Sequence, residues 1–265
     1  MVDVGTGRHR LLISDEKSLI AKGRAILSNN SLTNLHEDLG DIFFSSTGVF
    51  AWAGGVDLWL GKGDDYLDVI SVPSNPDSQT LRTTTCVHAG DGNDSINIAL
   101  ATENHDGVVF VANGQAGSDL INATLSTHPV ILFGGRGSDT LVGGSGSDVL
   151  LGDLGRVLWR ANDGGVGSPG HNTFNHSSDS ASISNGDGIV VAQVGGGGYG
   201  DFSDGIRRNA SIVVSLFNDV GDNDILDCGN GDNVGIGGFG ADRITGGAHR
   251  DILVSNVPTF CIVKA

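Results

Sequence analysis

Polar and apolar positions alternate along this chain in very short bursts, each anchored on an aspartate. Leu67 follows Asp65 by two places, Ile96 follows Asp94, Ile121 follows Asp119 and Leu141 follows Asp139. Leu150, Leu226, Ile244 and Leu253 stand in the same relation to Asp148, Asp224, Asp242 and Asp251. About five residues of alternation predict a very short strand with one buried face. Glycines precede every burst, and they suit tight turns with unusual backbone angles. Helical spacing is confined to Asp15–Leu27, where Ser14 stands at the capping position and Lys17 occupies the place a capping box gives to Glu. The prediction is one N-terminal helix and otherwise strands.

The bursts have a period. Gly134-Gly135-Arg136-Gly137-Ser138-Asp139-Thr140-Leu141-Val142 is followed directly by Gly143-Gly144-Ser145-Gly146-Ser147-Asp148-Val149-Leu150-Leu151. Both read G-G-x-G-x-D-x-U-x, with U a large apolar residue. Gly237, Gly238, Gly240, Asp242 and Ile244 repeat it, and residues 246–254 follow with His249 at the third glycine and Asp251 in place. Looser copies carry Gly61, Gly63 and Asp65; Gly90, Gly92 and Asp94; and Gly114, Gly117 and Asp119. Asp224 opens the C-terminal run, and Asn233 holds the aspartate position in its next copy.

This nonapeptide resembles the repeat of the RTX, or hemolysin-type, calcium-binding proteins, over roughly residues 52–158 and 218–254. The resemblance implies an all-β fold, a parallel β-roll or β-helix solenoid, here with long loop insertions. It also implies Ca2+ held between turns of successive coils by the glycines and aspartates named above. The residue chemistry agrees. Calcium takes six to eight oxygens, and two stacked turns supply carbonyls and carboxylates that one turn cannot. A single Gly–Asp turn is more often an ordinary Asx turn; the fixed apolar residue two places on distinguishes the register from turn chemistry alone.

In a roll, adjacent nonapeptides face opposite sides, so turns eighteen residues apart stack. Asp224 then lies over Asp242, and Asn233 over Asp251. Asp65, Asp94, Asp119 and Asp139 read as same-side turns whose opposite turns have grown into loops at Pro73–Gln79, Thr102–Asp106 and Ser126–Pro129. Five segments follow: a capping region (1–51), a first calcium-binding array (52–160), a Gly/Ser/Asn-rich insertion (161–210), a second array (211–257) and a tail (258–265). Val157 at an aspartate position marks the fading of the first array. Within the insertion Ile189–Val194 reads as one isolated strand, and Asn209–Leu216 as the strand that re-enters the roll. Phe43, Phe44, Phe50, Trp52 and Trp59 are expected to plug the N-terminal end.

Composition narrows the function. Glycine, at 43 of 265 residues, is about twice as common as usual. A net charge of −16 disfavours nucleic acid and anionic membranes as partners. No run is long enough for membrane insertion, and residues 1–12 lack a signal peptide's apolar stretch and cleavage site. Cys86, Cys228 and Cys261 are odd in number and widely spaced, which argues against a disulfide framework or a zinc site. The His36-Glu37 pair lacks the second histidine of a zinc protease, and no G-x-S-x-G elbow occurs. His88, His105, His128, His171 and His176 fall in or beside predicted loops. No enzyme is expected. The reading is a calcium-stabilised structural or adhesive segment of a secreted, extracellular protein, with a cell-surface or extracellular polysaccharide or protein as partner. The alternative is an accessory repeat module of a carbohydrate-active or other secreted enzyme.

Overall fold

Three or four alternating residues after a glycine turn form a strand only where neighbours accept their hydrogen bonds. The chain supplies those neighbours by returning repeatedly to the same two sheets. The computed structural model describes residues 1–21, 23–36, 40–48, 51–74, 81–102, 107–160, 190–195, 201, 210, 212–216, 220–255 and 262–264. These residues are all-β, with no α-helix among them.

The first sheet has ten strands. In spatial order they are β1 (Val2–Thr6), β5 (Ile42–Thr47), β4 (Ser31–Thr33), β3 (Arg24–Leu27), β7 (Tyr66–Val69), β9 (Ser95–Ile98), β11 (Leu120–Asn122), β13 (Thr140–Val142), β18 (Ile225–Asp227) and β20 (Arg243–Thr245). The second has eight: β2 (Arg10–Ser14), β6 (Gly55–Trp59), β8 (Thr83–Asp91), β10 (Val108–Ala116), β12 (Val130–Arg136), β14 (Val149–Leu151), β19 (Val234–Ile236) and β21 (Ile252–Val254). From β3 to β20, and throughout the second sheet, all pairings are parallel. From β6 to β14, and again from β18 to β21, the chain alternates between the sheets, so successive returns stack. This all-β architecture of long parallel sheets is compatible with a β-roll.

Register follows the apolar column. Leu67 pairs with Ile96, Ile96 with Ile121, Ile121 with Leu141, Leu141 with Leu226 and Leu226 with Ile244. The first five are buried and join one core with Leu58, Val87, Phe110, Leu132 and Leu150 of the second sheet. On that side the column reads Leu150, Gly235, Leu253. Gly235 leaves a gap that Cys228 fills, its Sγ lying 2.8 Å from where a Cβ would stand.

A second core lies on the other face of the eight-stranded sheet. β10, β12 and β14 carry near-continuous apolar runs, as strands buried on both faces do. Their outward residues Val111, Ile131, Phe133, Val149 and Leu151 pack with Val157, Trp159, Val194 and Val213. The latter belong to a separate antiparallel sheet of β16 (Val190–Gly195), β15 (Gly155–Arg160), β17 (Ile212–Ser215) and β22 (Ile262–Lys264).

Several expectations change. The helix at Asp15–Leu27 is absent: Asp15–Ser18 makes a turn, and Arg24–Leu27 is a strand because Ala25 and Leu27 reach the core only by pairing with Leu67 and Val69. Residues 190–195 are not isolated but pair with β15, and residues 212–215 join the covering sheet instead of re-entering either long one. Phe44 and Trp52 meet edge to face in the core at 5.9 Å, whereas Phe43 is half exposed and Trp59 stacks on His88; Phe50 lies outside the described residues. Ser126 and His128 are buried, not looped into solvent. Residues 75–79 and 103–106, His105, His171 and His176, and most of the expected insertion lie outside the described residues.

Candidate metal centre

Each nonapeptide turn delivers its aspartate to the start of a strand, so stacked strands stack aspartates. The Asp65 N–H donates to Asp94 Oδ1 at 2.7 Å, Asp94 to Asp119 at 2.7 Å, Asp119 to Asp139 at 2.8 Å, Asp139 to Asp224 at 2.8 Å and Asp224 to Asp242 at 3.1 Å. This row of six runs along one edge. It passes straight from Asp139 to Asp224, 85 residues on. The opposite row links Asp148, Asn233 and Asp251, with Val130 N–H donating to Asp148.

The two rows differ in their second oxygen. In the opposite row Asp148 Oδ2 accepts from Gly144 N–H at 2.8 Å, and Asp251 Oδ2 from Gly247 N–H at 3.0 Å. Asn233 Nδ2 donates to Gly231 O and to Asp251 Oδ1. Asp65, at the head of the first row, is likewise held by Gly61 N–H at 2.9 Å. The other five members of the first row are not. Oδ2 of Asp94, Asp119, Asp139, Asp224 and Asp242 is buried and accepts no hydrogen bond. A buried, unpartnered charge is costly, so the carboxyls resist ionisation. Burial, aided by neighbouring carboxylates, raises Asp94 to about 7 and Asp139 and Asp224 to about 8; Asp119 rises to about 6.

Those oxygens share their space with carbonyls. A Cβ on Gly134 would lie 2.4 Å from Asp139 Oδ2 and 2.2 Å from Gly152 O; one on Gly114 would meet Asp119 Oδ2 and Gly134 O. Gly237 stands in the same relation to Asp242 Oδ2. Gly90, Gly92, Gly117, Gly135, Gly137, Gly238 and Gly240 have positive φ, and a Cβ on each of the first five would strike a carbonyl of the preceding turn. The turns of Gly61 and Gly63, and of Gly143, Gly144 and Gly146, lack positive φ. Carboxylate and carbonyl oxygens thus converge between turns where glycine leaves room. This all-oxygen donor set fits a hard cation such as calcium.

One member escaped the sequence reading. Asp153 stands outside the aspartate positions of the register, yet it is buried, accepts from Phe239 N–H at 2.5 Å and has Oδ1 unpartnered. Burial, with Asp242 and Asp222 nearby, raises it to about 7. The Gly152-Asp153 pair was the available signal.

The geometry defines a repeat protein whose stacked glycine–aspartate turns align carboxylates along one edge. Comparison with known families gives the turns their name: residues 131–156 and 228–256 match the RTX calcium-binding nonapeptide repeat, in four copies. The chain carries RTX repeats, and these imply calcium binding. No curated protein and no solved structure matches the chain. RTX repeat proteins are typically secreted, and the repeats are typically non-catalytic. No helix among the described residues is long and apolar enough to cross a membrane.

Proposed function

We propose that this chain is a calcium-stabilised β-roll serving as a structural or adhesive segment of a secreted protein. Its ions lie between successive turns of the row Asp65–Asp94–Asp119–Asp139–Asp224–Asp242, held by these carboxylates and the glycine carbonyls beside them. The supporting observation is the run of five buried Oδ2 atoms without partners, four of which (Asp119, Asp139, Asp224 and Asp242) face a glycine whose added Cβ would clash with them. The opposite row, with Asp148, Asn233 and Asp251, has its oxygens satisfied by its own turns and is the weaker binder. Residues 1–51 extend both sheets and would close the N-terminal end of the roll. Extracellular calcium modules bind with Kd of roughly 10⁻⁴–10⁻³ M, which suits calcium-rich surroundings outside the cell. Native mass spectrometry of the full chain with and without chelator tests this. Several calcium ions per chain, lost with chelator and not replaced by magnesium, are expected; a chain that binds none refutes it.

A further inference from the structure

The outward face of β8 carries chemistry that the calcium turns do not use. The sequence reading placed His88 beside a loop, but it lies within β8, 1% exposed. Neither of its ring nitrogens has a hydrogen-bond partner. Its ring stacks on Trp59 at 4.0 Å. Two residues earlier, Cys86 points to the same face, and Asp57 sits directly opposite Cys86 on β6. Cys86 and Asp57 are also buried, and Cys86 is a free thiol. One ligand atom from each of the three lies within 4.8 Å of the others.

We propose that Asp57, Cys86 and His88 bind one divalent cation of the zinc class, at a site separate from the calcium turns. The donor set decides the metal. One sulfur, one nitrogen and one oxygen suit a borderline ion and not calcium, which takes oxygens alone. A tetrahedral zinc with bonds of about 2.0–2.3 Å sets its ligands roughly 3.3–3.8 Å apart, so the three side chains draw in by roughly an ångström. The charges balance, because one carboxylate and one thiolate neutralise the ion. Arg10 Nε donates to Asp57 Oδ2 at 2.7 Å, the kind of outer contact that orients a ligating carboxylate. Neither imidazole nitrogen is engaged in a hydrogen bond, so a lone pair is available to the ion. A cavity of about 110 Å³ is lined by Asp57 and Cys86 together with Arg10, Gln193 and Asp201. Water entering this cavity would complete the coordination. An unliganded His88 would instead remain buried with both nitrogens unsatisfied, a state that native interiors avoid.

The test uses the full chain in saturating calcium. One zinc per chain beyond the calcium complement is expected by native mass spectrometry. Cobalt in its place should give a thiolate charge-transfer band and the strong d–d bands of a tetrahedral site. Cys86→Ser should abolish the charge-transfer band, and Cys228→Ser, which removes the other buried thiol among the described residues, should leave it intact. His88→Gln should weaken zinc binding by more than the roughly 10–100-fold that loss of an outer-shell partner costs, and His88→Cys should restore it. No zinc beyond calcium, a cobalt spectrum without the thiolate band, or undiminished zinc binding in both Cys86→Ser and His88→Gln would each overturn the proposal. If Cys86→Ser fails to show the calcium-loaded β signal, the wild-type spectrum and His88→Gln decide alone.

Discussion

A side-chain carbon added at Gly134 would lie 2.2 Å from Gly152 O and 2.4 Å from Asp139 Oδ2, so Gly134→Ala would drive a methyl group into the space where the oxygens meet. At Gly23 the same addition meets nothing within 4 Å, and its φ is not positive. Gly134→Ala should therefore cost about 1–3 kcal/mol and raise the calcium concentration needed for folding. Gly23→Ala should be neutral or stabilising by up to about 1 kcal/mol. Calcium titrations followed by circular dichroism separate the two. Asp139→Ala should weaken the calcium response more than Asp251→Ala. Asp139 Oδ2 lacks a partner, whereas Asp251 Oδ2 is satisfied by Gly247 N–H and its Oδ1 by Asn233. Equal responses in the two variants would remove the distinction between the rows. Glycine and aspartate positions were legible from the sequence because each obeys a local rule. His88 was not, because burial depends on which strand passes over it.

At the scale of elements, the short strands after each aspartate and the stacking of Asp224 over Asp242 could be read from the period alone. The second core could not. β10, β12 and β14 are apolar on both faces, and a continuous apolar run does not say what covers its far side. The cover comes from β15, β16 and β17, whose low-complexity surroundings read as loop. Residues 15–27 failed for a related reason: parallel pairing of β3 with β7 outweighs a weak local helical preference. Phe133 is fully buried between the eight-stranded sheet and its cover. Phe133→Ala should cost about 3–5 kcal/mol, measured by urea unfolding in saturating calcium. A loss below 1 kcal/mol would mean that the covering sheet contributes little to stability.

For the molecule as a whole, the buried carboxyls set the pH response. Without calcium, folded-state values of about 7–8 for Asp94, Asp139 and Asp224 stand above the ordinary carboxyl value of about 3.9. Their contribution to the calcium-free fold is therefore fully present below about pH 4 and is lost as pH rises through about 8. Chelated protein should gain β structure on acidification across this window. Calcium should bind more weakly over the same range, since protons compete for the same oxygens. A β signal in chelator that is flat from pH 8 to 4 would show that these carboxyls do not govern folding. The passage from Asp139 to Asp224 carries a kinetic consequence. Both edges cross it with the same sequence separation of 85, where the repeats beyond it return every 18. Closing the longer loop costs about 1.4 kcal/mol more in chain entropy, so the two arrays should nucleate independently and dock late. The seam between β13 and β18 would then be the slowest contact to form, and stopped-flow refolding should show a phase that slows selectively when Asp224 is replaced.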